Sequence, residues 1–192
     1  MSTAALLLTG GSSRRLGTDK ATLVVDGERL VDRLGRLLLT ECRPVLEVGP
    51  GYGTLPAVRE EPPGAGPLAA VAAGATALTA AGHTGPTIVM AVDLPGVTAS
   101  IVAWLCGHPS SDSVVPIVVG VAQVLCARYS ADALASATQL VGEGARSMHA
   151  LLDVTVVHEA GAEEWRSVAV AAAFSDVDSR AEAAAAGIDL PR

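Results

Sequence analysis

Aromatic side chains are almost missing from this 192-residue chain, which has two tryptophans, two tyrosines and one phenylalanine. With 50% hydrophobic residues, its core must be assembled from alanine, valine and leucine. Lysine is scarcer still: Lys20 is the only one among thirteen Lys and Arg residues. The cysteines are Cys42, Cys106 and Cys126, odd in number, far apart and in apolar settings. That excludes a zinc knuckle or a disulfide framework and predicts reduced, buried thiols. No uninterrupted apolar run reaches the roughly 18 residues of a membrane span, and the N-terminus lacks a basic n-region. A cytoplasmic protein with no membrane contact is expected. Positive charge is also short. The net charge of −7 argues against general nucleic-acid binding. It is uneven: residues 1–43 hold seven basic against five acidic residues, and the remainder six against fifteen. A mildly positive N-terminal region on an acidic body suits a small anionic ligand better than a polyanion.

The length, with no internal repeat, low-complexity tail or linker, predicts a single domain over residues 1–192. An apolar run ends at Leu8, and strands are expected at Pro44–Val48, Ala57–Glu60 and Thr87–Val92. Ala21–Val25 reads as a short extended run closed by Asp26-Gly27. Helices are expected at Leu30–Leu39, Pro67–Ala81, Thr98–Cys106, Ala131–Leu140, Ser147–Leu152 and Arg180–Ala186. Val114–Arg128 reads as two antiparallel strands around Gly120, and Val154–Val157 and Val168–Val170 as further strands. The alternation predicts an α/β fold, a three-layer α/β/α sandwich. Its sheet is doubly wound and mostly parallel, with an antiparallel addition.

The first strand runs into Gly10-Gly11, followed by Arg14, Arg15 and Lys20. Glycines let backbone N–H groups approach an anion, and several cations on one loop describe a triphosphate cradle. A solvated Gly/Ser turn with scattered charge is the plainer reading. The spacing matches neither a Walker A loop nor a dinucleotide fingerprint. Lysine, a compact point charge in a chain otherwise given to arginine, suits a phosphate oxygen. The pattern Leu8-Thr9-Gly10-Gly11-x-x-x-Arg15-Leu16-Gly17-x-Asp19-Lys20 resembles the signature loop of nucleotidyltransferases. Among these it is most similar to the molybdenum cofactor guanylyltransferases, the MobA-like family. Thr9 and Leu16 stand where that family usually has alanine and methionine.

The resemblance implies GMP transfer from GTP to molybdopterin, with release of pyrophosphate and dependence on Mg2+. It also implies transient contact with molybdoenzyme maturation proteins and no nucleic-acid partner. Leu8, Thr9, Gly10, Gly11 and Lys20 would then bind nucleotide, with Arg15 and Lys20 catalytic. Asp93 closes the buried strand 87–92, the place where open α/β sheets put ligands, and lies too early to cap the next helix. Ala91-Val92-Asp93-Leu94-Pro95 sits where the family carries a metal-binding aspartate that also serves the nucleotide. Asp176 and Asp178 have period two and so point to one side of an extended segment. By themselves they read as an acidic pair at a helix N-terminus; by resemblance Asp178 is a second magnesium ligand. Glu60 through Ala69 resembles the family's acidic segment leading into Gly-Pro-Leu-Ala, with Gly66 in it. Glu60 would accept from guanine N1–H and N2–H2, or be a solvated charge on a Pro/Gly loop. The segments 123–129 and 142–148 resemble the acceptor side. His83, His108, His149 and His158 share no ligand spacing and read as surface residues. Rival readings are a molybdopterin cytidylyltransferase, a phospholactate guanylyltransferase and a non-catalytic nucleotide-binding module.

Overall fold

Ala4–Leu8 forms β1, and every residue in it is buried. The computed structural model describes residues 2–10 and 16–189. After a 3-10 turn at Lys20–Thr22, the extended run expected from residue 21 narrows to β2 (Val24–Val25). Asp26 and Gly27, both at positive φ, turn the chain into β3 (Glu28–Arg29). Helix α1 (Leu30–Glu41) buries Leu30, Leu34 and Leu38 at intervals of four, and Arg36 pairs with Glu28 at 2.7 Å on its exposed side. Then follow β4 (Val45–Val48), β5 (Ala57–Val58), α2 (Pro67–Ala80), β6 (Thr87–Ala91) and α3 (Ala99–Gly107). Proline at the first position of α2 loses no hydrogen bond, as expected. Next come β7 (Ser113–Val118), β8 (Val121–Ala122), β9 (Cys126–Tyr129), α4 (Ala131–Gly142) and α5 (Met148–Leu152). The chain ends with β10 (Val157–Ala160), α6 (Ala162–Trp165), a 3-10 turn at Ala171–Phe174, α7 (Arg180–Ala185) and β11 (Ile188–Asp189).

Among the described residues the main sheet has the order β5-β4-β1-β6-β9-β7-β10, with β8 paired to β7. β5, β4, β1 and β6 are parallel; β9 runs against both β6 and β7; β10 is parallel to β7. The antiparallel addition is therefore a strand inserted between two that share a direction. A second, small sheet has the order β11-β2-β3. Alternation along β1 splits the core between the two faces. Ala5 and Leu7 join α1 and α3, while Ala4, Leu6 and Leu8 join α2, α4 and α5. This is the expected three-layer sandwich.

Three expectations need correction. The strand placed at Val154–Val157 starts only at Val157, because Val154 and Thr155 still donate back to Leu151 and Leu152 at the end of α5. Val168–Val170 is no strand. Val168 and Ala169 both donate to the Trp165 carbonyl at the end of α6, and Val170 is exposed. The thiols are not all buried: Cys106, near the end of α3, is half-buried, its sulfur 3.6 Å from that of Cys42 at the end of α1. No helix among the described residues is long and apolar enough to cross a membrane.

Candidate functional site

The described parts of the signature loop are held by one buried carboxylate. Glu47, on β4, accepts from the Thr9 hydroxyl at 2.7 Å and from the amides of Gly51 (3.1 Å), Tyr52 (2.7 Å) and Gly53 (2.8 Å). A side chain at Gly49 would put its Cβ 2.2 Å from Thr9 Oγ1, so β4 can pass this close to Thr9 and Gly10 only with glycine there. Tyr52 in turn donates its hydroxyl to Asp19 Oδ2 at 2.5 Å. That bond, and secondly burial, pushes the Tyr52 phenol up to about 12. Thr9 before the loop and Asp19 after it are thus fixed to one strand-end network. Gly11 and Arg15 lie outside the described residues.

Lys20 follows Asp19, and its ammonium donates to Asp93 Oδ2 at 2.7 Å and to Asp178 Oδ1. Burial is the largest influence on Lys20 and pulls its pKa down. The hydrogen bonds to Asp178 and Asp93, together with their charges, outweigh burial and hold it above its ordinary value. Asp93 follows Val92 at the carboxyl end of β6, and Val92 donates to the Leu8 carbonyl, so Asp93 stands beside the end of β1. The Val177 amide donates to the Asp93 carbonyl at 3.0 Å, which draws in the distant segment 176–178. Val177 is buried, and one carboxylate oxygen each of Asp93, Asp176 and Asp178 lies within 4.8 Å of the others. Burial first, and then the charges of Asp178 and Asp93, raise the Asp176 pKa. Asp178 is also the residue before the Ser179 cap of α7, whose Glu182 accepts from its amide. Asp178 therefore stands both at the N-terminus of α7 and beside Asp93.

Glu60 is buried. One carboxylate oxygen accepts from the Gly64 amide at 2.8 Å and lies 3.7 Å from where a Cβ on Gly10 would stand. The other, Oε2, is buried without a partner among the described residues. Gly66, at φ 102°, opens α2 against the Arg146 carbonyl, where a Cβ would come within 3.1 Å. The 142–148 segment is thereby brought to Gly66. Beside Asp93 and Asp176 lies a cavity of about 420 Å³, lined further by Val118, Gln123, Leu125 and Phe174. Of the segment 123–129, only residues 123–125 line it. Arg128 is buried and grips the carbonyls of Leu105 and His108, and the Tyr129 hydroxyl donates to the Val124 carbonyl.

A cavity, a lysine and three carboxylates thus converge at the carboxyl ends of β1 and β6, where Gly10 follows β1. Residues 5–153 match the MobA-like NTP transferase domain. The chain belongs to that family. A relative in Mycobacterium tuberculosis, named a probable molybdenum cofactor guanylyltransferase, is 35% identical over 161 residues, 79% of this chain and 80% of its own. The solved structure of molybdopterin-guanine dinucleotide biosynthesis protein A from Archaeoglobus fulgidus superposes with a TM-score of 0.76 at 20% identity, covering 96% of both chains. That of 2-C-methyl-D-erythritol 4-phosphate cytidylyltransferase from Thermus thermophilus gives 0.65 at 19% identity over 97% of both. These two structures share the fold, and the fold alone does not choose a base.

As a MobA-like NTP transferase, the chain holds residues around its site that sequence reasoning passed over. Glu47 had a signal: a lone acid within the apolar run Pro44–Val48. Tyr52 had none beyond its place in a Gly-rich loop. Asp176 was recognised only as half of an acidic pair. Nor are the histidines uniformly on the surface. The His108 side chain is 6% exposed, and its Nε2 and that of His158 meet Glu164 Oε2 at 3.0 and 2.8 Å. His83 is half-buried, and His149 is exposed.

Proposed function

We propose that the protein transfers GMP from GTP to the phosphate of molybdopterin, releasing pyrophosphate, with magnesium as the cation. The observation that carries this reading is the meeting of Lys20 with Asp93, Asp176 and Asp178 at the end of β6. The name of the mycobacterial relative supplies the acceptor. The three carboxylates fit magnesium: they are hard oxygen donors, and burial first, then the charges of Asp178 and Asp93, make the ionised form of Asp176 costly without a cation. Asp93, Asp178 and Asp176 would hold the cation, which would neutralise phosphate charge and make the α-phosphorus more electrophilic.

An ionised oxygen of the acceptor phosphate attacks the α-phosphorus. The new P–O bond forms as the bond to the α–β bridging oxygen breaks, and pyrophosphate leaves. The nucleophile needs no strong general base, so the chain contributes position and charge. Lys20 exchanges carboxylate oxygens for phosphate oxygens as the nucleotide enters, and Arg15 is the second cation on the loop. The backbone of Leu8, Thr9, Gly10 and Gly11 cradles the nucleotide, and Gly66 keeps α2 close to it. Glu60 Oε2 accepts from guanine N1–H and N2–H2, donors that cytosine does not offer in that arrangement. The cavity beside Asp93 receives the acceptor. Thermal-shift titration with GTP, CTP, ATP and UTP, each with magnesium, tests the reading. GTP should stabilise the chain most. Stabilisation by CTP that equals or exceeds it would move the protein to the cytidylyl rival.

A further inference from the structure

At the other end of the sheet, three chemically matched side chains come together from parts of the chain with no common motif. His108 caps the C-terminus of α3, His158 lies on β10 and Glu164 on α6. His158 pairs in register with Val114 near the start of β7, whereas the cavity beside Asp93 is lined by Val118 at that strand's far end. The nucleotide site makes no use of this cluster.

We propose that His108 Nε2, His158 Nε2 and Glu164 Oε2 form a binding site for a transition-metal dication of the zinc, nickel or cobalt kind. Such ions take imidazole nitrogen and carboxylate oxygen at about 2.0–2.2 Å. Two ligands at that range and at right angles stand about 3.0 Å apart. The Nε2–Oε2 separations are 3.0 and 2.8 Å, and all three ligand atoms lie within 4.8 Å of one another. Two sides of the triangle already match the edge of an octahedron, and the third, between the two imidazole nitrogens, is no longer than 4.8 Å, so an ion can be enclosed by drawing the two rings together. Imidazole nitrogens select against magnesium and calcium, which prefer all-oxygen sites.

The supports are in place. Glu164 Oε1 accepts from the Gly161 amide at 3.1 Å, which turns Oε2 toward the imidazoles. The His108 carbonyl is held by the buried Arg128 guanidinium at 3.0 Å, and the Trp104 ring meets the imidazole edge-on at 5.7 Å. Groups of this kind fix ligand orientation in metal sites. A depression of about 560 Å³, bounded also by Pro109 and Ser110, leaves space for water on the open side. Both imidazoles must change tautomer. The Ser110 amide approaches His108 Nδ1 at 3.3 Å, so the metal-free ring keeps its proton on Nε2 and donates it to Glu164. A cation replaces that shared proton and its counterpart on His158 Nε2, which meets the same acceptor-only carboxylate oxygen; Nδ1 then carries the proton in each ring, and the Ser110 contact, the longest in the cluster, opens. The bound ion would pin the edge strand β10 and α6 to α3.

The test uses the full chain, stripped with chelator and dialysed, with excess magnesium present to fill the acidic site. Zinc, nickel and cobalt are titrated separately and followed by calorimetry, by visible absorption of cobalt and by thermal shift. One ion per chain is expected, bound equally by the parent and by Asp93→Asn. His158→Ala and Glu164→Gln should each weaken binding at least tenfold. The His158 side chain is less buried than that of His108, which makes its variant the safer one to fold, and circular dichroism checks that it has. Absence of saturable one-to-one binding overturns the proposal. So does binding that survives His158→Ala or disappears in Asp93→Asn, the latter placing the ion at the nucleotide site.

Discussion

Glu47 and Glu60 are both buried carboxylates on the same side of the sheet's centre, and they differ in how completely the chain satisfies them. Glu47 accepts from four donors, three backbone amides and a hydroxyl, and is fully shielded from solvent. Glu60 accepts from one amide and keeps an oxygen buried and unpartnered among the described residues. A buried polar atom without a partner costs free energy, typically about 1–3 kcal/mol and more when charged. A saturated carboxylate builds structure; one left half-open has a place for something that is not part of the chain. Asp93, Asp176 and Asp178 bring three acids together, two of them on the Lys20 ammonium.

The largest effect is expected where these carboxylates meet Lys20. Losing a group that stabilises charge in the transition state costs about 2.7–4 kcal/mol, or 10²–10³ in turnover number. Lys20→Ala should fall in that range, and Lys20→Arg should fall with it, because a planar fork cannot reproduce a point contact. Steady-state kinetics at two ionic strengths decide the matter. If Lys20→Arg keeps a near-normal turnover number and loses rate only as salt rises, Lys20 merely steers the anion.

Exchanging the two glutamates' fates comes next. Glu47→Ala strands three amides and the Thr9 hydroxyl, and should cost roughly 3 kcal/mol in denaturant unfolding even without nucleotide. Glu60→Gln should leave unfolding nearly unchanged. Its amide presents a donor where guanine also donates, so GTP affinity should drop by about 1.5–3 kcal/mol, some ten- to a hundredfold. CTP affinity should scarcely move. Equal losses for the two nucleotides would separate Glu60 from base choice.

The smallest effect concerns Asp176. Its folded pKa is raised, first by burial and then by Asp178 and Asp93. A carboxyl raised in this way stabilises the fold while protonated, below its unfolded value of about 4. That contribution is lost as pH rises through the folded value, above which the charge opposes the ligand-free fold. Asp176→Asn should therefore melt slightly higher than the parent near neutrality without magnesium, and the gap should close on acidification. Magnesium should add less stability to the variant than to the parent. A variant that melts lower at neutral pH would contradict the open-carboxylate picture.

Much of the geometry at the carboxyl ends of β1 and β6 was legible in the chain because its signals are local. A continuous apolar run at 87–91 followed by Asp93, and glycines at the end of β1, state their geometry within a few residues. The 176–178 pair was half legible: period two gave a shared side, but only the hydrogen bond from Val177 to Asp93 says which site that side faces. His108 and Glu164 are 56 residues apart, so no spacing rule could have joined them. The segment 162–174 misled for a different reason. Its Val-Ala-Val run has strand composition, yet the chain turns back so that Trp165 packs on Phe174, ring centres 5.4 Å apart. Two of the chain's few aromatics meeting there outweigh a local preference for extension.

The inserted strand β9 has a consequence for the order in which the molecule is made. During synthesis β1, β4, β5 and β6 can pair as they emerge, each beside a strand already present. β7 cannot join them, because its neighbours β8, β9 and β10 are all synthesised after it, and β9 alone bridges it to β6. The parallel half is thus free to assemble first, and the half that walls the cavity waits for residue 129. Asp176 and Asp178 come later still. A chain stopped before them holds Lys20 but only one of the three clustered carboxylates, so the cluster is completed only after both halves of the sheet have formed.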